Sequence, residues 1–182
     1  MSKIGIFFGT DTGTTRKISK LIAKELGELA AKPLNINRAE PDALTAYEYL
    51  ILGTPTLGEG QLPGLSSDCQ TDSWEEYMDN FEELDLTGKK VALFGLGDQV
   101  NYPNEFVDAL GELYDAVAET GAEMLGRWSV EGYEYEASCA EDGEEFVGLV
   151  IDNDNQSDKN AARVSQWVEQ VLAEMELEAL PA

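Results

Sequence analysis

The sequence predicts an α/β fold: a doubly wound, mainly parallel sheet of five strands between helices on both faces. Two observations carry that prediction. Short, continuous apolar runs recur along the chain, as strands covered on both faces require. Other segments carry apolar residues at i, i+3, i+4 and i+7, the stripe of a helix with one buried face. Strand followed by helix, repeated five times, implies parallel strands joined by right-handed crossovers.

The elements follow in order. A first strand is expected at Lys3–Phe8 (KIGIFF), then a helix marked by Ile18, Leu21, Ile22, Leu26 and Leu29. A second strand at Leu34–Asn37 precedes a weaker helix over Pro41–Tyr47, with proline near its first turn. After a third strand at Tyr49–Leu52, a helix is expected over Trp74–Phe81. Ser73, with Glu76 three residues on, forms a capping-box pattern there. The fourth strand, Lys90–Phe94, leads to a helix marked by Phe106, Ala109, Leu110, Leu113 and Val117. The last strand is divided, around Met124–Trp128 and Phe146–Ile151. Between its halves, over about 130–145, Tyr133 and Tyr135 alternate with Glu134 and Glu136 before Asp142-Gly143, which suggests an inserted hairpin or looped excursion. The final helix carries Val164, Trp167, Val168, Val171, Leu172 and Met175 on one face. No repeat or linker interrupts the pattern, so residues 1–182 are expected to form one domain.

Composition narrows the function. There are 36 acidic and 12 basic residues, no histidine, and a net charge of −24. Such a surface repels nucleic acid and anionic membrane and steers towards basic partners. Without histidine, the commonest general base and metal ligand is missing, which weighs against most hydrolytic mechanisms. Cys69 and Cys139 lie far apart without metal-binding spacing and are expected as free thiols in a reducing compartment. No apolar run approaches the ~18–20 residues of a membrane span, and MSKIGIFF lacks a signal-peptide layout. A cytoplasmic monomer is expected.

In an open parallel sheet, ligands bind beyond the carboxyl ends of the strands, where the strand order reverses. Three glycine-bearing polar loops follow the first, third and fourth strands: GTDTGTT from Gly9, GTPTLGEG from Gly53, and GLGDQVNY from Gly95. The first opens a helix near Thr14, whose free N–H groups and dipole suit a phosphate. Thr10, Thr12, Thr14 and Thr15 add hydroxyls. The loop has neither Walker nor GxGxxG spacing, so a terminal monophosphate fits it better than a polyphosphate. Taken alone, it is equally an ordinary helix start with capping threonines. Asp98 and Gln99 offer an acceptor and an amide for a heterocycle edge. Tyr102 offers an aromatic face, or packs over the sheet edge. Gly58 stands where a peptide could turn over, or is a plain turn glycine.

Together these stretches resemble the flavodoxin family, specifically its long-chain type. The resemblance spans nearly the whole chain through GTDTGTT, ILGTPTLGEGQLPG, FGLGDQVNYP and VGLVIDNDNQS, with the excursion before the last. It implies a flavodoxin-like sheet of order 2-1-3-4-5, with FMN at the switch between the first and third strands. By position, Thr10, Asp11, Thr12, Gly13, Thr14 and Thr15 would wrap the FMN phosphate. Thr54, Pro55, Thr56, Leu57 and Gly58 would form the inner ring loop. Leu96, Gly97, Asp98, Gln99 and Tyr102 would form the outer one, with Asp98 and Gln99 at the pyrimidine edge and Tyr102 stacked. Asp154 matches a position near the ribityl chain. Leu57 stands where many relatives have tryptophan, Asn101 replaces a common glycine, and Glu105 sits where asparagine is frequent. The GTPTLGEG and DNDNQS forms are similar to flavodoxins that serve nitrogen fixation.

The resemblance implies a low-potential one-electron carrier, cycling FMN between semiquinone and hydroquinone, rather than an enzyme. A carboxylate ~10 Å from the anionic reduced flavin, at an effective dielectric between 20 and 80, disfavours it by roughly 0.4–1.7 kcal/mol. The expected partners have basic docking patches: a reductase as donor, and the nitrogenase iron protein or another redox enzyme as acceptor. A flavin-dependent NAD(P)H:quinone reductase of the same fold is the alternative. A receiver-type signalling domain would need an aspartate after the third strand, where ILGTPT stands. A cofactor-free acidic interaction module is the non-redox rival.

Overall fold

The computed structural model describes residues 2–177. Strand β1 (Ile4–Phe8) enters helix α1 (Thr14–Leu26), and a short edge strand β2 (Leu34–Asn35) follows. Next come β3 (Tyr49–Thr54), α2 (Trp74–Phe81), β4 (Lys90–Leu96), α3 (Asp108–Ala118) and β5 (Glu123–Leu125). Then come β6 (Trp128–Ser129), β7 (Glu141–Asp142), β8 (Glu145–Phe146), β9 (Leu149–Ile151), the single turn α4 (Asn153–Gln156) and α5 (Asn160–Glu174).

The main sheet is parallel, in the order β2-β1-β3-β4-β5. Its last position is shared. β5 pairs with Lys90–Ala92 of β4, and β9 pairs with Phe94–Leu96 further along the same strand. The divided fifth strand expected from the sequence is therefore two short strands on one partner, each shorter than expected: Trp128 and Phe146 leave the main sheet and pair with each other.

Side-chain alternation within the strands builds a core on each face. Ile4, Ile6, Ile51, Ala92, Phe94 and Leu149 meet α1 and α5 through Ile18, Ile22, Val164, Trp167 and Val168. Phe7, Leu50, Leu52, Val91 and Leu93 meet α2 and α3 through Trp74, Phe81, Leu110 and Leu113. Because both faces are covered, the strands contain almost no polar residue, as their sequences required. Gly53 is needed at the centre: a Cβ there would lie 2.0 Å from the Phe94 ring.

Three expectations need correction. The second strand stops at Asn35 because that side chain accepts the Asn37 N–H at 3.1 Å, turning Ile36–Arg38 into a 3-10 turn. The helix expected over Pro41–Tyr47 is only a 3-10 turn, Ala43–Ala46; the Lys89 ammonium takes the Thr45 and Tyr47 carbonyls at 2.9 and 2.7 Å. The alternating stretch around Tyr133 is not a strand. Its N–H groups go to loops instead, Glu134 to Gln99 Oε1 and Glu136 and Ala137 to the Pro103 carbonyl. Tyr133 and Tyr135 both turn towards Phe106 and Phe146. The hairpin is β7–β8, turning at Gly143 and Glu144, in a small antiparallel sheet ordered β6-β8-β7. Of the capping box expected at α2, one half is made: Glu76 Oε1 accepts the Ser73 N–H at 2.8 Å, while Ser73 Oγ is buried without a partner. Among the described residues, no helix is long and apolar enough to cross a membrane.

Candidate functional site

At the carboxyl ends of β1, β3 and β4, the three polar loops enclose one cleft of about 240 Å³. Thr10, Asp11, Thr12, Thr14 and Thr15 line it from the first loop, and Pro55, Thr56, Leu57 and Gly58 from the second. Leu96, Gly97, Asp98 and Tyr102 line it from the third, and Asp154 closes it from α4.

The first loop is folded by its own side chains. Gly13 adopts φ 96° before α1, and its N–H donates to Thr10 Oγ1 at 2.9 Å. The first N–H groups of α1 have no carbonyl within the helix to receive them, as at any helix start. Gly13 thus shapes the loop without lining the cleft. In the second loop, Leu57 and Gln61 exchange backbone hydrogen bonds of 2.9 and 2.7 Å, closing a tight turn around Gly58 at φ 49°. In the third, the Tyr102 N–H donates to the Asp98 carbonyl at 2.9 Å, and the Tyr102 side chain is 42% exposed.

Two buried hydroxyls in this cleft have no hydrogen-bond partner: Thr15 Oγ1 and Thr56 Oγ1. Buried polar groups in native proteins are almost always paired, so two orphans from different loops at one cleft are candidate contacts for a polar ligand; Ser73 Oγ, Glu75 Oε2 and Asn160 Oδ1 are unpaired away from it.

Carboxylates border the opposite side. Partial burial raises the Asp98 pKa, but hydrogen bonds from Asn101, Asn155 and Val100 outweigh it and hold the group below the ordinary aspartate range. Asp154 moves up instead, through partial burial first and then repulsion from Asp98 and Asp152.

Two expected site residues point elsewhere. The Gln99 side chain, expected at a ring edge, is buried and committed. Its amide nitrogen donates to Asp152 Oδ2 at 2.7 Å, and its oxygen accepts the Glu134 N–H at 2.6 Å. Thr54 is fully buried, with Oγ1 donating to the Pro55 carbonyl at 2.9 Å, and lies outside the cleft lining.

Three lining residues were not among the expected ones: Glu105, Val107 and Asn153. Asn153 adjoins Asp154 in the DNDNQS stretch, which was signal enough to include it. Val107 left none. It is a buried β-branched residue at φ 50°, a conformation that costs about 1–3 kcal/mol and concentrates at functional sites.

The fold and cleft together define a doubly wound α/β protein with a polar cleft at its strand-order switch, the place where such folds bind ligands. A family profile described as Flavodoxin matches residues 6–167. A flavodoxin from Klebsiella pneumoniae is 56% identical over 171 residues, covering 94% of this chain and 97% of its own. Flavodoxin 1 of Escherichia coli is 42% identical over 181 residues, covering 99% and 98%. Among solved structures, Fusobacterium nucleatum flavodoxin bound to flavin mononucleotide superposes with a TM-score of 0.85 at 31% identity, covering 98% of this chain and 100% of its own. The chain belongs to the flavodoxin family, whose members are electron-transfer proteins rather than enzymes.

Proposed function

We propose that this protein is a low-potential one-electron carrier that binds FMN non-covalently in the cleft described above. The observation that carries the proposal is the pair of unpartnered hydroxyls that line the cleft, Thr15 Oγ1 from the first turn of α1 and Thr56 Oγ1 from the loop after β3. Thr10, Asp11, Thr12, Thr14 and Thr15 hold the phosphate, in a loop whose shape Gly13 sets. Pro55, Thr56, Leu57 and Gly58 face one side of the ring, and Leu96, Gly97, Asp98 and Tyr102 the other. Asp154 lies towards the sugar-alcohol chain. FMN, once bound, supplies the redox chemistry.

The protein's own contribution is shape and charge. The cleft opens at the surface, where its lining residues Asp11, Thr12 and Tyr102 are exposed, which suits electron exchange with a partner. The carboxylates of Asp98 and Asp154 oppose added negative charge, which lowers the reduction potential. The net charge of −24 favours brief docking on basic partner surfaces. A reductase donor and the nitrogenase iron protein as acceptor, met in the cytoplasm by a single-domain monomer, fit this charge.

Extraction and chromatography of the cofactor from purified protein tests the proposal: FMN is expected. Recovery of FAD, or no flavin after reconstitution, overturns it. Rapid NAD(P)H oxidation by the protein alone would instead mark a quinone reductase. Electron transfer to purified nitrogenase iron protein, slowed by rising salt, tests the acceptor.

A further inference from the structure

In this acidic chain, positive charge is concentrated in one place. The first 38 residues hold seven of the twelve basic residues against three acidic ones, and the remainder holds five against thirty-three. The fold turns this run into a surface. Arg16 and Lys20, one helical turn apart on α1, face Lys32 and Arg38 across a groove of about 640 Å³ along the β2 edge. All four are exposed, and no carboxylate lines the groove. The acidic residues nearest in sequence to Arg38, Glu40 and Asp42, lie outside the lining.

Among the described residues, none of these cations makes a salt bridge; the ion pairs present involve Lys90 and Arg127. With three times as many acids as bases available, four cations that line one groove without an ion pair form a local positive patch on an acidic molecule. The groove also has apolar parts. The Arg16 guanidinium lies 5.6 Å from the Phe8 ring centroid, and Leu34, on the outermost strand, is 36% exposed. Such an edge leaves backbone groups of β2 free on its outer side.

We infer that this groove is a second docking site, which takes an acidic, extended segment of a partner protein. Its carboxylates pair with Arg16, Lys20, Lys32 and Arg38, and an apolar residue covers Leu34. Charge complementarity selects the occupant: beyond residue 38 the chain holds thirty-three acidic residues against five basic ones and repels acidic segments, whereas this groove attracts them. At about 0.1 M salt the screening length is ~10 Å, so contacts with the four cations outweigh the distant acidic surface. The groove shares no lining residue with the cleft, but Arg16 directly follows Thr15. A partner held here is anchored beside the cleft without covering it.

The test uses full-length protein and a fluorescein-labelled decapeptide of alternating glutamate and leucine, followed by anisotropy. Saturable binding is expected, weakened at least tenfold in the double variant Lys20→Gln/Lys32→Gln and little changed by Lys159→Glu, which lowers the net charge by the same two units elsewhere on the chain. Circular dichroism confirms that each variant is folded. Absence of saturable binding, or equal losses in both variants, overturns the inference, because net charge alone would then govern contact. Displacement of the peptide by inorganic triphosphate at lower concentration than by unlabelled peptide also overturns it, showing a free-anion site only. Chemical-shift changes of backbone amides confined to 16–20 and 32–38 support it, and changes confined to the cleft count against it.

Discussion

Asp152 holds Gln99 through two hydrogen bonds to a single carboxylate oxygen, from the Gln99 N–H at 3.1 Å and the side-chain amide at 2.7 Å. Its other oxygen accepts the Asn155 N–H at 3.0 Å. Asp152 is fully buried, and N–H donors surround its charge. One side chain thus ties the third cleft loop to the start of α4. Asp152→Ala leaves several of these donors without a partner in the interior, at a cost on the order of 3 kcal/mol. Urea unfolding should show that loss, and FMN affinity should fall with it. A change under about 0.5 kcal/mol, the scatter of ordinary surface substitutions, would mean that other contacts hold the loop.

Gly58 occupies a backbone region that costs an L-residue about 1–2 kcal/mol, and a Cβ there would lie 3.0 Å from Gln61 Oε1. Gly58→Ala should therefore destabilise the turn by about 1 kcal/mol and hinder rotation of the peptide beside the ring. Stepwise reduction followed by visible absorbance should accumulate less one-electron-reduced flavin than in the parent. An unchanged yield would show that the Gly58 peptide does not move during reduction.

Tyr102 is largely open to solvent for an aromatic side chain, which costs the protein little if it is removed. Tyr102→Ala should leave the unfolding midpoint nearly unchanged. FMN binding should weaken by ~0.5–1.5 kcal/mol for lost stacking, plus the apolar area uncovered. Fluorescence titration separates the two effects. Lost stability with intact affinity would assign the ring to packing instead.

The lowered pKa of Asp98 has a definite sign in stability. A carboxyl group that ionises more readily folded than unfolded stabilises the protein above its unfolded pKa, and that contribution disappears as pH falls through the folded value. Asp98→Asn should be less stable than the parent at neutral pH, and the difference should close on acidification below the ordinary aspartate range. Denaturation at a series of pH values checks this. A gap that is constant with pH would assign the effect to hydrogen-bond geometry rather than charge.

Much of the fold was legible locally. The stripe from Ile18 to Leu26 and the run IGIFF each report a single element, because helical and strand periodicities are properties of neighbours in sequence. The loops at Thr10–Thr15, Thr54–Gly58 and Leu96–Tyr102 could be placed on one rim for a related reason: parallel strands all end on the same side. The failures fall where a second segment intervenes. The stretch around Tyr133 alternates like a strand, yet its backbone bonds to loops and its tyrosines fill an aromatic cluster with Phe106 and Phe146.

By itself, then, the sequence determined the layers, the order of elements, the three loops and the surplus of negative charge. Tertiary structure alone decided where individual polar side chains point. Gln99 meets an aspartate 53 residues away and a backbone N–H 35 residues away, so it faces inward although its neighbour Asp98 lines the cleft. It likewise gathered Arg16, Lys20, Lys32 and Arg38 into one groove. The physical reason is common to both. Periodicity sets which face of an element is buried, but a hydrogen bond or a charge cluster depends on which loops and edges the packed layers bring together.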